Sequence, residues 1–247
     1  MTSENNHTGS PKEPLTISTE ELNKLPKETL PLTPIVLSGE SRSKEIAAAC
    51  LKLRAKGTVG FDTETKPSFK KGINYPVALL QLATDEIVVL VRLTQVKEFG
   101  EAKWLPLRRL LASPKVLKTG VGIHDDALGL SKDHGLVTNT TLDLRSLAQA
   151  DGMDVLSLSK IYSLLFGKRL AKGQRLSDWE RPELTPAQKQ YAGLDAYAGY
   201  MIYRRLEHLA TPGMVTKRLH SKARCSKPRN NNGLSLHHHP NKSEERQ

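Results

Sequence analysis

Residues 58–64 read Thr-Val-Gly-Phe-Asp-Thr-Glu and contain the acidic pair around which the rest of the chain can be placed. Apolar or β-branched residues alternate here with glycine and acids, which predicts a β-strand. Alternate side chains of a strand share a face, so Asp62 and Glu64 point to one side while Phe61 points into a core. Two carboxylates on a central strand repel each other and resist burial, and a divalent cation would relieve both effects. Such a pair is otherwise usually solvated surface, so a metal site requires further carboxylates.

The segments around this strand predict an α/β domain over residues 31–210. Three strands are predicted in succession at 58–64, 77–83 and 87–91, and the turn between the last two is short enough for a hairpin. Further predicted strands lie at 115–119 and 140–144, and predicted helices lie at 42–56, 105–111, 145–150, 156–166 and 185–208, with another that ends near 134. Three antiparallel strands followed by strand–helix units are typical of an α/β fold that has a mixed sheet with parallel strands and helices on both faces.

The ends of the chain differ in composition from this domain. Residues 1–30 are polar and predict a flexible leader, and residues 211–247 predict a basic disordered tail. Residues 212–247 hold +6 of the net charge of +11, which favours nucleic acid as the partner. Such a tail either tethers the folded part to phosphate backbones or merely keeps the chain soluble. The basic stretch 167–183 is likewise either a solvated connector or a loop that contacts phosphate.

Membrane and secreted classes are not favoured by the sequence. It contains no run of 18 apolar residues, so no membrane span is expected. Residues 1–27 lack the apolar region of a secretory signal. The two cysteines, Cys50 and Cys225, give neither a disulfide framework nor a zinc-binding spacing, which fits a reducing compartment. The sequence therefore predicts a cytoplasmic protein, or a nuclear one in a eukaryote.

Further acids are found in two of the predicted helices. Tyr191 and Asp195 are four residues apart, so one face of the last helix presents both. An aspartate among alanines and glycines in mid-helix is costly unless it faces a ligand, and the alternative is an exposed polar face. Asp125 and Asp126 follow a glycine-bearing turn, where an acid in the first turn of a helix is ordinary. That interpretation describes Asp125, and Asp143 is predicted to be a helix cap.

Taken in order, these motifs resemble the DEDDy 3′–5′ exonuclease superfamily and, within it, the Werner-syndrome-type exonuclease branch. The resemblance rests on Phe61–Glu64, Val77–Leu82, Gly120–Ile123, Ser177–Glu180, Leu184–Thr185 and Tyr191–Tyr197. It covers about residues 55–200 and implies a ribonuclease H-like fold. Matching Gly-Val-Gly-Ile-x-x-Asp to the family pattern makes Asp126, rather than Asp125, the third carboxylate.

Four carboxylates without lysine, histidine or cysteine among them call for hard cations, Mg²⁺ or Mn²⁺. The resemblance implies two ions per site, with Asp62 bridging both. It also implies that Glu64 and Asp195 hold the ion that carries the attacking water, that Asp126 serves the second ion, and that Tyr191 hydrogen-bonds the water. Hydrolysis from a 3′ end would release nucleoside 5′-monophosphates.

Two alternatives remain at this point. One is an RNA-processing exonuclease of the ribonuclease D type, since only the closer motif match favours DNA. The other is a non-catalytic nucleic-acid-binding module of the same fold, against which the presence of all four carboxylates and the tyrosine argues. The sequence has no helicase motifs, so a helicase partner would have to be a separate chain.

Overall fold

A mixed β-sheet forms the centre of the protein in the computed structural model, which describes residues 13–70, 72–171 and 173–218. Seven strands lie in these ranges: β1 (Ile35–Leu37), β2 (Thr58–Thr65), β3 (Val77–Ala83), β4 (Val88–Arg92), β5 (Leu117–Gly120), β6 (Asn139–Asp143) and β7 (Val215–Arg218). Their order across the sheet is β1-β4-β3-β2-β5-β6-β7. Strand β2, which carries the acidic pair, is therefore central.

The strand directions confirm the predicted mixed sheet. Strands β2, β3 and β4 are antiparallel neighbours, whereas β5 is parallel to β2 and β6 is parallel to β5. Two edge strands are not predicted from the sequence: β1 pairs in parallel with β4, and β7 pairs antiparallel with β6. They have three and four residues, too few to show an alternating pattern.

The described ranges contain seven α-helices: α1 (Thr19–Lys24), α2 (Ser43–Ala55), α3 (Leu105–Ala112), α4 (Ile123–His134), α5 (Leu144–Ala150), α6 (Leu158–Phe166) and α7 (Pro186–Leu206). Short 3-10 turns lie at Leu93–Gln95, Ala102–Trp104, Glu207–Leu209 and Pro212–Met214. The predicted capping box of Thr185 and Gln188 opens α7, with Pro186 as its first residue. Among these helices, none is both long and apolar enough to cross a bilayer.

Helices cover both faces of the sheet, as predicted. On one face, Ile46 of α2 and Leu110 of α3 pack in a buried cluster with Phe61 of β2. On the other face, buried residues of α5, α6 and α7 pack against apolar residues of β3 and β4. Because side chains alternate along β2, Asp62 and Glu64 project to the side that α7 covers.

The N-terminal segment, residues 13–30, differs from the flexible leader predicted for residues 1–30. It contains α1 and buries Leu22 and Leu30. Backbone bridges join it to the connections on either side of α6. Composition misses this packing because Leu22 and Leu30 are single apolar residues among polar ones and form no periodic pattern. Residues 1–12 lie outside the described residues.

The predicted basic tail, residues 211–247, begins with ordered structure. Strand β7 lies within it and extends the sheet beyond β6, with Leu142 opposite Val215 and Thr141 opposite Thr216. The sheet therefore continues past residue 210, where the sequence places the end of the domain. The rest of the predicted tail, residues 219–247, lies outside the described residues.

Candidate active site

Helix α7 lies directly on strand β2 because the strand has a glycine where the two cross. A methyl group at Gly60 would overlap the carbonyl oxygen of Ala196 and lie 2.6 Å from the amide nitrogen of Tyr200. Gly199 of α7 faces the same crossing, since a Cβ there would lie 3.9 Å from the Cα of Gly60. This close approach brings the middle of α7, and with it Asp195, next to the acidic end of β2.

Three of the four predicted carboxylates form one cluster. Carboxylate oxygens of Asp62, Glu64 and Asp195 lie within 4.8 Å of one another. Glu64 and Asp195 are each only 9% exposed. Within residues 13–218, as far as they are described, no lysine or arginine forms a salt bridge with any of the three. The cluster is therefore a nearly buried group of carboxyl groups to which no protein cation is salt-bridged.

Burial raises the pKa of each carboxyl group in the cluster, and the charges of neighbouring carboxylates add to the shift at Asp62 and Glu64. The pKa of Asp62 lies well above its usual value, first through desolvation and then through the charges of Asp195, Asp126 and Glu64. Desolvation and the charges of Asp195 and Asp126 raise the pKa of Glu64 to about 9, and nearby Arg175 opposes this shift. Desolvation raises the pKa of Asp195 to about 7. A bound cation would reverse these shifts, since it favours the charged forms.

The fourth predicted carboxylate, Asp126, lies near the cluster but is held outside it. The Thr63 hydroxyl donates a hydrogen bond of 2.5 Å to its Oδ1. Thr63 alternates with Asp62 and Glu64 along β2, so this hydrogen bond holds Asp126 beside the strand rather than among the three carboxylates. Burial raises the pKa of Asp126 to about 6, and the hydrogen bond from Thr63 opposes that shift.

The two rival aspartates have the structural roles that the sequence predicts. Asp125 is exposed in the first turn of α4. Asp143 is the N-cap of α5, where its carboxylate accepts a hydrogen bond from the amide of Arg145 at 3.0 Å. It also accepts one from the amide of Gly122 at 3.2 Å and so links α5 to the turn that precedes α4.

Tyr191 lies one turn before Asp195 on α7, and its hydroxyl faces the carboxylates. Burial raises its pKa, and the charges of Asp195, Glu64 and Asp62 raise it further. Its ring packs beside the fully buried Trp179, with 6.1 Å between ring centroids. The phenol is therefore protonated at neutral pH and is held by packing as well as by its own helix.

A cavity of about 410 Å³ opens over these groups. Asp62, Tyr191 and Asp195 line it, together with Gly120 and Val121 of the quoted Gly120–Ile123 motif and with residues that sequence reasoning does not single out: Ser157, Leu158, Ser159, Leu170, Ala171 and Arg175. The last three of these belong to the basic stretch 167–183, for which the sequence allows either a solvated connector or a loop that contacts phosphate. Ser157 and Ser159 carry no such signal, since serines at the start of a helix are ordinary caps.

Metal-free protein should become less stable as the pH rises through the raised pKa values, about 7 for Asp195 and about 9 for Glu64. In the unfolded chain these groups ionise near pH 4. Above that pH the folded protein binds more protons than the unfolded chain, so its stability falls as the pH rises. Melting temperatures measured in a chelator at pH 5–9 would test this, and Mg²⁺ or Mn²⁺ should flatten the decline. A melting temperature that rises over this range would contradict a buried repulsive cluster.

Comparison with protein families identifies one match over most of the chain. Residues 40–210 match the family model described as 3′–5′ exonuclease. The mouse protein named bifunctional 3′-5′ exonuclease/ATP-dependent helicase WRN is 32% identical over 170 residues, which are 67% of this chain and 12% of that protein. Exonuclease 3′-5′ domain-containing protein 2 of Drosophila melanogaster is 38% identical over 138 residues, 55% of this chain and 23% of that protein. The chain therefore spans less than a quarter of the length of these two relatives.

Solved structures show the same fold. Ribonuclease D of Escherichia coli, titled an exoribonuclease involved in structured RNA processing, superposes with a TM-score of 0.61 at 20% identity. The match covers 72% of this chain and 45% of that one. At this level of identity the likeness shows the fold, which is the ribonuclease H-like arrangement expected from the sequence.

Proposed function

Because the chain belongs to the 3′–5′ exonuclease domain family, we propose that it is a DEDDy-type enzyme that hydrolyses nucleic acid from the 3′ end. The products are nucleoside 5′-monophosphates. The observation that carries this proposal is the cluster of Asp62, Glu64 and Asp195, with the Tyr191 hydroxyl facing it, at a cavity that Asp62, Tyr191 and Asp195 line. The cavity volume of about 410 Å³ lies in the range of ligand pockets.

The carboxylates fit Mg²⁺ or Mn²⁺, which prefer oxygen ligands. Asp62, Glu64 and Asp195 would hold the ions, with Asp126 contributing from beside the cluster. Among the described residues, no lysine or arginine forms a salt bridge with Asp62, Glu64 or Asp195 that could take the place of a metal ion. Bound divalent ions, two per site in this proposal, would neutralise the charge that develops on the phosphodiester and make hydroxide accessible near neutral pH.

Side chains around the cluster position the attacking water and the substrate. The Tyr191 phenol keeps its proton, so it orients the attacking water by a hydrogen bond rather than removing its proton. Val121 and Leu158 give the cavity apolar walls that the sugar and base of the terminal nucleotide can contact. Arg175, whose charge is felt at Glu64, can contact the scissile or adjacent phosphate.

DNA is the substrate that we propose. The sequence motifs resemble the Werner-syndrome-type branch, and the mouse protein named WRN matches most of the domain. The second candidate is RNA, as in ribonuclease D. One observation favours RNA: Ser157 and Ser159 lie in the cavity wall, where hydroxyl groups are suitable partners for a 2′-hydroxyl.

Digestion of single-stranded DNA and RNA of matched sequence, labelled at the 5′ end, tests the proposal. Release of nucleotides one by one from the 3′ end in Mg²⁺ or Mn²⁺ is the expected result, faster on DNA. Faster digestion of RNA would establish the second candidate. Binding without hydrolysis of either polymer, in Mn²⁺ as well as in Mg²⁺, would instead establish a non-catalytic binding module.

Tyr191→Phe should lower the hydrolysis rate by roughly one to a few powers of ten, as expected for the loss of one positioned hydrogen-bonding group, while metal affinity stays close to that of the parent protein. The substitution removes the hydroxyl but keeps the ring beside Trp179. Tyr203→Phe, further along α7, is the matched control and should be fully active. The single-turnover rate and a metal titration separate the two effects, and full activity of Tyr191→Phe would remove the hydroxyl from the mechanism.

A further inference from the structure

A second cavity, of about 450 Å³, lies beside the catalytic one. The two cavities share Ala171 and Tyr191 in their walls. One side of the second cavity is formed by the N-terminal segment, through residues 27–29, and the opposite side by α7, through residues that include Gln190. The N-terminal segment precedes residue 40, where the family match begins, so this cavity is partly built from sequence outside the match.

Two basic residues are held side by side in this cavity by backbone hydrogen bonds. The amide of Arg169 donates to the carbonyl of Pro26, and the amide of Glu28 donates to the carbonyl of Arg169, both at 2.9 Å. These bonds form the parallel bridge between Lys27 and Arg169. The Nε of Arg169 donates to the Leu25 carbonyl at 3.1 Å, which fixes the guanidinium against the N-terminal segment.

Positive charge on this pair is not neutralised by the acids nearby. Among the described residues, neither Lys27 nor Arg169 forms a salt bridge. The adjacent acid, Glu28, is paired instead with Lys168 at 3.1 Å and accepts a hydrogen bond from the Tyr162 hydroxyl at 2.9 Å. The second cavity therefore presents free cationic groups next to a cavity lined by carboxylates.

We propose that Lys27 and Arg169 form a phosphate-binding subsite, which holds the backbone of a polynucleotide strand whose 3′ end lies in the catalytic cavity. The carboxylate cluster repels a polyanion, so a cationic site at its border keeps the strand in place. Contacts of this kind position a strand without reading its sequence. The inference rests on the proposed function, because it takes the first cavity to hold the terminal nucleotide.

Direct binding of a fluorescent single-stranded oligonucleotide to the full chain, in a chelator that prevents hydrolysis, tests the subsite. Lys27→Glu is compared with Lys52→Glu, an equal charge change at an exposed position of α2 on the other face of the sheet. Lys27→Glu should bind the strand several-fold more weakly than Lys52→Glu. Its slope of log affinity against log salt should be smaller by about 0.7, the share of one phosphate contact on a single strand.

A second variant separates lost contact from damage to the fold. Lys27 is exposed, so Lys27→Gln, which removes the charge but keeps a polar side chain, should melt like the parent protein while showing the same smaller salt slope. If Lys27→Glu and Lys52→Glu share one affinity and one slope, the subsite is overturned. Because binding is measured without hydrolysis, that result would not contradict the proposed exonuclease activity. Conversely, a protein that binds the strand through Lys27 but does not hydrolyse it would contradict the exonuclease activity and leave the subsite in place.

Discussion

Asp62→Asn is expected to abolish hydrolysis and, in the absence of metal, to raise the melting temperature of the protein. Asp62 offers one of the three carboxylates of the cluster, whose oxygens lie within 4.8 Å of one another, so its loss should weaken the binding of any ion that the cluster holds. Loss of a residue that merely supports a metal ligand lowers metal affinity or activity by about 10–100-fold. In the proposed two-ion site Asp62 would itself be a ligand, so its loss should lower the rate by more than about 10²-fold. The stability of the metal-free protein should increase, because the substitution removes one of three desolvated carboxyl groups that repel one another.

The two effects require separate measurements. Nucleotide release in Mg²⁺ and Mn²⁺ gives the first, and thermal melting in a chelator gives the second. Asp125→Asn is the matched control: it removes an exposed carboxylate of α4 that lies outside the cluster, and it should alter neither quantity greatly. A lower melting temperature for metal-free Asp62→Asn would mean that the three carboxylates do not repel one another in the folded protein.

Much of the candidate site follows from local periodicity. Alternation along residues 58–64 places Asp62 and Glu64 on one face of a strand, and four-residue spacing places Tyr191 and Asp195 on one face of a helix. The structure has both arrangements and brings the two faces together. These relations are predictable because each depends on the geometry of a single element.

Relations between distant elements are not predictable in this way. The hydrogen bond from Thr63 to Asp126 joins β2 to α4 and holds the fourth carboxylate beside the cluster, which no spacing in the sequence indicates. The N-terminal segment buries Leu22 and Leu30, and Leu30 belongs to the core cluster formed by residues of α5, α6 and α7, far along the chain. The contact between this segment and Arg169 forms part of a cationic cavity. From composition, one side of that cavity is predicted to be a flexible leader, and the other either a solvated connector or a loop that contacts phosphate.

Gly60→Ala should destabilise the protein by about 3 kcal/mol or more, the upper part of the range for overpacking a close-packed core. The added methyl group would overlap the carbonyl oxygen of Ala196 and crowd the amide of Tyr200, which are backbone atoms of α7 and cannot turn away as a side chain can. Folded molecules should also lose activity, because α7 must shift and carry Asp195 away from Asp62. A displacement of about 1 Å at a reacting centre can lower the rate 10²-fold.

Whether Gly60→Ala lowers or raises the free energy of unfolding tests the close contact between α7 and β2. Gly60 is not among the glycines with positive φ, so its backbone conformation is open to alanine. Where the conformation permits, glycine to alanine stabilises a protein by about 0.4–1 kcal/mol. Gly213→Ala is the control: the nearest atom to its added methyl group is 3.9 Å away and its φ is not positive, so its free energy of unfolding should stay the same or rise by up to about 1 kcal/mol. Urea unfolding measures both variants, and a Gly60→Ala protein as stable as its parent would show that α7 does not lie against β2 at this point.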